Sequence, residues 1–187
     1  MERFEAYQIL TTYLKNPNLI KHCLATEAAM QGLCKFILES PDQQTLNRWG
    51  VAGLLHDADY EMAAGHPEQH GLLINDKIKL PDDIAYAIKA HNYQNTKIEP
   101  ISQMDWSLAC SDQLTGLIVA ATLVTPSRKL SDITPDFVLK RFYEKSFAKG
   151  TDRKTIELCE SKLNIPLPKF IEVVVSSMKG VATELGL

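Results

Sequence analysis

The residues best able to do chemistry are crowded at one end of the chain. His22, His56, His66, His70 and His91 all fall in the first half of 187 residues, and the second half has no histidine. A single imidazole on a helix is ordinarily a satisfied polar side chain, so the weight rests on their combination. His56 and Asp57 close a segment otherwise built from Trp49, Gly50, Val51, Ala52, Gly53, Leu54 and Leu55. An ionised carboxylate in such company is costly unless it is paired or holds a cation. Imidazole nitrogen and carboxylate oxygen together suit iron, manganese, zinc or, with more oxygen and water, magnesium. A dication of this kind lowers the pKa of water and neutralises phosphoryl oxygens, which is the outline of hydrolytic machinery. No thiolate site competes, because Cys23, Cys34, Cys110 and Cys159 lie far apart without a C-x-x-C pair and read as free thiols of a reducing cytosol.

The elements that must position these groups read as helices throughout. Phe4, Tyr7, Leu10 and Leu14 recur at helical spacing up to Asn16-Pro17-Asn18, and a second stretch runs from Leu19 through Cys34 to Leu38, ahead of Ser40-Pro41. Leu46, Trp49, Gly50, Gly53, Leu54 and Asp57 form one face of a third helix that leads into the His-Asp pair. His66-Pro67-Glu68 predicts a helix start carrying His70, Leu73 and Ile74, and Leu80-Pro81-Asp82 predicts another that ends at His91. Ser102 and Asp105 form a capping pair for a long apolar helix to about Val124, whose one internal acid is Asp112. Thr134-Pro135-Asp136 opens a helix through Phe147 closed by a left-handed Gly150, Thr151-Asp152 caps the next, and a last one runs unbroken from Phe170 to Leu185. No segment reads as a strand, and the stretch from Thr125 to Gly150 reads as a loosely docked appendage.

Composition bounds the possibilities. With 45% hydrophobic residues the chain reads as one all-α domain over residues 1–187 that needs neither disulfides nor a structural metal. Against 23 acidic residues the 20 Lys and Arg leave a net charge of -3, which disfavours broad, sequence-independent attraction to nucleic-acid phosphate or anionic lipid. The apolar run Leu114–Val124 is interrupted by Thr115, Gly116 and Thr122 and falls short of a bilayer span, and the charged N-terminal stretch lacks the core of a secretion signal. The expectation is a cytoplasmic protein without membrane contact, with a homodimer as the default assembly.

In that setting the residues resemble the HD-domain superfamily: an isolated His, a His-Asp doublet ending an apolar helix, then a distant Asp. The matching positions are His22, the run Leu54-Leu55-His56-Asp57, and Asp112 in Ala109-Cys110-Ser111-Asp112, with the core of the resemblance at about 19–124 and a helical extension at about 125–187. His70 in Pro67-Glu68-Gln69-His70-Gly71 and His91 in Ala90-His91-Asn92 match the two extra histidines of a two-metal subset. The resemblance implies one divalent metal on His22, His56, Asp57 and Asp112 and a second on His70 and His91, bridged by Asp57. It implies a phosphohydrolase acting on a small phosphorylated compound, such as a nucleotide, through metal-activated water. Asp57 and Asp59 are the expected catalytic acids, with Glu61 a further candidate for orienting water; Lys21 and Lys129, ahead of Lys89 and Arg128, are the expected phosphate contacts. Gln113 departs from the lysine that members often carry after the final Asp. A di-iron oxygenase shares the ligand order, and a nucleotide-sensing module without turnover is the non-enzymatic alternative.

Overall fold

Local capping chemistry decides where most of the helices begin. In the computed structural model, which describes residues 1–187, α1 is Arg3–Tyr13 and α2 is Pro17–Leu38, its first turn closed by the Asn16 side chain accepting from Asn18 N–H and by Pro17 at the first helical position. Asp42 caps α3, Gln43–Leu55, through Thr45 N–H. After a run of turns come α4, Leu73–Lys77, then α5, Asp82–His91, and the single turn α6, Tyr93–Thr96. Ser102 and Asp105 make the expected reciprocal box at the start of α7, Gln103–Leu123. Thr134 caps α8, Pro135–Tyr143; Asp152 caps α9, Arg153–Leu163; α10, Leu167–Lys179, and the short α11, Ala182–Leu185, complete an all-helical chain without strands.

α2 is the organising element, packed along α3, α7 and α10, while α7 also meets α5 and α9. The two central helices approach closely where side chains are smallest: a Cβ on Gly53 would stand 2.7 Å from the Thr26 carbonyl oxygen, so only glycine lets α3 lie this near α2. The buried core runs from Leu10 and Leu14 of α1 through Met30 and Leu33 of α2, Leu54, Ile88 and Leu108 to Phe170 and Val174 of α10.

Four expectations are corrected. The helix expected after His66 is split into a three-residue 3-10 turn, Pro67–Gln69, and α4, because Gly71 adopts a φ of +87° between them. The helix expected to reach Phe147 stops at Tyr143, and Gly150 is not left-handed; Ala148 takes a positive φ instead. Here the Arg153 guanidinium, donating to the carbonyls of Phe142 and Phe147 among others, satisfies the backbone that a helix would have paired. The last helix breaks at Gly180 and Val181 into α10 and α11. The stretch from Thr125 to Gly150 is docked, not loose, since Leu130, Ile133, Val138 and Phe142 are buried in the main core.

Candidate metal centre

Six of the anticipated side chains converge at one place although they come from separate elements. His22 stands one turn into α2, Asp112 lies in the middle of α7, and His91 is the last residue of α5. His56 is the C-cap of α3, with Asp57 in the turns beyond it, and His70 occupies the extended position between the 3-10 turn and α4. Around the centre, His22 Nε2 lies 2.8 Å from Asp112 Oδ1 and 3.6 Å from Asp57 Oδ2. His56 Nε2 is 3.4 Å from both Asp57 Oδ1 and Asp112 Oδ1, while His70 Nε2 and His91 Nε2 are 3.0 and 3.8 Å from Asp57 Oδ1. Asp57 therefore turns one oxygen toward His22 and the other toward His70 and His91.

The far side of each imidazole determines what its near side offers. His56 Nδ1 faces the Gly53 carbonyl at 2.8 Å and His91 Nδ1 the Ile88 carbonyl at 2.5 Å; a carbonyl only accepts, so both Nδ1 atoms carry the proton. His70 Nδ1 donates to Asp59 Oδ1 at 2.9 Å. His22 Nδ1 donates to the Thr115 hydroxyl at 3.3 Å, whose own proton goes to the Asp112 carbonyl at 2.8 Å. In the neutral imidazoles all four Nε2 lone pairs point inward, with His22 and His56 Nε2 atoms 3.2 Å apart and those of His70 and His91 3.1 Å apart. Lone pairs at such separation require a positive charge between them, and outer partners of this kind are the usual support of metal-bound histidine.

The titration behaviour shows the same demand. Burial works against protonation of His56 and His70, yet Asp57, with Asp112 at His56 and Asp59 at His70, outweighs it and raises the two imidazoles to about 9 and about 10. Burial also opposes ionisation of Asp57 and Asp112, but the surrounding histidines hold both carboxyls well below the ordinary range. His91 moves the other way, to about 4, through burial and the neighbouring His70 and His56. His56 and His70 thus hold positive charge beside the two carboxylates.

The donors fit a metal ion. Two groups, His22, His56 and Asp112, and His56, Asp57 and His91, each bring their ligand atoms within 4.8 Å of one another. Bonds of about 2.1 Å in octahedral or tetrahedral array set neighbouring donors about 3.0–3.4 Å apart, in the middle of the separations found here. Nitrogen and carboxylate donors without sulfur favour intermediate to hard cations. Cys23, Cys34, Cys110 and Cys159 are all buried free thiols outside both groups.

The remaining expectations divide. Asp59 is fully buried, with its carboxylate accepting from His70, from Gly71 N–H at 2.9 Å and from Ile74 N–H at 3.0 Å. Burial raises its carboxyl pKa, but these three donors prevail and hold it low. So placed, Asp59 orients His70 and is not itself part of the surface open to solvent. Glu61 accepts the backbone N–H groups of Lys15 and Asn16 at 2.9 Å and so ties down the start of α2. His66 is exposed beside Glu68, outside the cluster.

A cleft of about 550 Å³ opens onto Asp57, His70, His91 and Asp112, walled by Tyr60, Asn92, Asn95 and Gln113 and by no Lys or Arg. Lys21 instead borders a separate cavity of about 420 Å³ on the His22 side, near Gly186. Lys129 is exposed on the loop after α7, so neither expected phosphate contact reaches the cleft. Sequence reasoning passed over Thr115, Asn92 and Tyr60. Thr115 carried a signal, a hydroxyl three residues from Asp112 and hence on the same face of an apolar helix. No protein-family model matches the chain, and no curated protein or solved structure matches it either.

Proposed function

We propose that the chain is a metal-dependent hydrolase of HD-like type, acting on a small phosphorylated compound at the cleft beside the histidine cluster. The observation that carries this reading is the inward convergence of four Nε2 lone pairs on the carboxylates of Asp57 and Asp112. Divalent cations held by His22, His56, Asp57 and Asp112, and by His70 and His91, would supply an acidified water and charge neutralisation for phosphoryl oxygens. The chain's own residues hold the donors in register and shape the approach. His56 and His91 are locked by backbone carbonyls, His70 by Asp59 and His22 by Thr115, so none has to reorganise during a reaction. Tyr60, exposed at the cleft and edge-on to His70 at 5.2 Å, and Asn95 offer hydrogen bonds to the organic part of a substrate. With no Lys or Arg on its walls, the cleft selects by hydrogen bonding and shape.

Elemental analysis of protein purified without chelators, followed by phosphate release from a panel of phosphate esters and nucleotides, tests the reading. The expected result is about two metals per chain and turnover with manganese, iron, zinc or magnesium, both lost in Asp57→Ala while helicity persists. Turnover retained in Asp57→Ala would overturn it. Oxygen uptake by iron-loaded protein without phosphate release would replace hydrolysis by oxygenase chemistry, and tight nucleotide binding without turnover under every metal condition would point to a sensor.

A further inference from the structure

α7 presents Asp112 and Gln113 in succession, and the two are joined in a hydrogen-bond chain that leaves the cluster. Gln113 Nε2 donates to Asp112 Oδ2 at 2.9 Å, and Gln113 Oε1 accepts from the Asp152 backbone N–H at 3.1 Å. Both orientations are dictated by the partners, since a carboxylate only accepts and a backbone N–H only donates. Asp152 is itself fixed as the N-cap of α9, accepting from Lys154 N–H at 3.0 Å and the Thr155 hydroxyl at 2.8 Å. Its carboxylate also accepts Gln94 Nε2 at 2.5 Å, and Gln94 lies three residues beyond His91. The start of α9 thereby joins the wall next to Asp112 to the wall next to His91.

We propose that Gln113 is a positioning residue of the metal centre, holding the Asp112 carboxylate with Oδ1 toward His22 and His56, and that the start of α9 is its anchor. The inference rests on the reading of His22, His56 and Asp112 as ligands. A carboxylate held at one oxygen cannot turn about its last bond, so engagement of Oδ2 leaves Oδ1 committed, at 2.8 Å from His22 Nε2. The position calls for one donor and one acceptor on a single neutral side chain, which is what a carboxamide supplies. A lysine would donate to Asp112 but leave the Asp152 amide unmatched and set a cation in competition for the ligand. A leucine of similar bulk would do neither.

The test uses the full chain. Zinc affinity is measured by competition with a chromophoric chelator, and the cobalt-loaded protein is followed by its d–d absorption, for wild type, Gln113→Leu, Gln113→Lys and Asp152→Ala. Gln113→Leu is expected to weaken zinc binding about 10- to 100-fold and shift the cobalt bands, while the helicity and melting of the metal-free protein stay near wild type. Gln113→Lys, which keeps the donor alone, should fall between, and Asp152→Ala, which keeps the backbone N–H but removes the cap that fixes it, should move both readouts in the same direction by less. Wild-type affinity and spectrum in Gln113→Leu would overturn the proposal; should that variant not fold, the same result in Gln113→Met, which likewise has neither donor nor acceptor for these partners, would do so. Wild-type behaviour of Gln113→Lys would remove α9 from the site. A wild-type chain that binds neither zinc nor cobalt would overturn the metal-centre reading together with this one, whereas a metal-binding wild type unaffected by the variants overturns this one alone.

Discussion

His22 and Asp112 are carried by helices, whereas Asp57 and His70 stand on turns, and the molecule secures the two kinds of candidate ligand by different means. On α2 and α7 the backbone is already paired within the helix, so only the orientation of each side chain is left open, and neighbouring side chains close it: Thr115 for His22 and Gln113 for Asp112. Between α3 and α4 the backbone has no ladder of its own. There a single buried carboxylate, Asp59, takes two backbone N–H groups as well as the His70 ring, holding the loop and the ligand together. A ligand on a helix is aimed, while a ligand on a turn must first be placed, and the second task draws on the stability of the fold.

That contrast can be broken most forcefully at Asp59. Asp59→Ala strips acceptors from Gly71 N–H, Ile74 N–H and His70 inside the protein and is expected to cost about 3 kcal/mol, with a fall in melting temperature of about 10 °C. It should also release metal from the His70 and His91 half while His22, His56 and Asp112 keep theirs, which elemental analysis would show as a halved content. Loss of metal without loss of stability would erase the distinction. A step smaller is Gly71→Ala: a side chain at φ +87° whose Cβ would stand 2.6 Å from the Ile88 carbonyl oxygen. Chemical denaturation should report about 1–3 kcal/mol lost, with the deficit concentrated on the turn-borne side. On the helix-borne side, Thr115→Val removes the acceptor for His22 Nδ1 while preserving shape. It should leave thermal stability within about 1 kcal/mol of wild type and weaken metal binding by about 10-fold, read by chelator competition. A stability loss as large as that of Asp59→Ala would show that the helices, too, depend on the site's polar partners.

The same division explains what was legible from residues alone. Asn16, Asp42, the Ser102 and Asp105 pair, Thr134 and Asp152 each cap a helix through bonds that span two or three residues, so they could be read locally. The break at Gly71 depends on Ile88, and the shortened α8 depends on Arg153 reaching back to Phe142, contacts between distant parts of the chain that no periodicity reveals. Within the site, the resemblance pointed to His70, which stands in the cluster, and not to His66, which lies exposed beside Glu68. Residue types and order did not show that Asp59 is sealed inside, nor that Lys21 and Lys129 stand away from the cleft, since burial and direction are tertiary facts.

Gly53 has a bearing on all of this beyond the carbonyl it offers to His56. The contact of its bare backbone with Thr26 works as a caliper: the gap between α2 and α3 is gauged there, and the His22 and His56 nitrogens, 3.2 Å apart, stand at the open end of the jaws. The room between the two imidazoles is thus set by the packing of two helices. A methyl group added at that point would press on the Thr26 carbonyl and move the two nitrogens apart while leaving every donor in the chain.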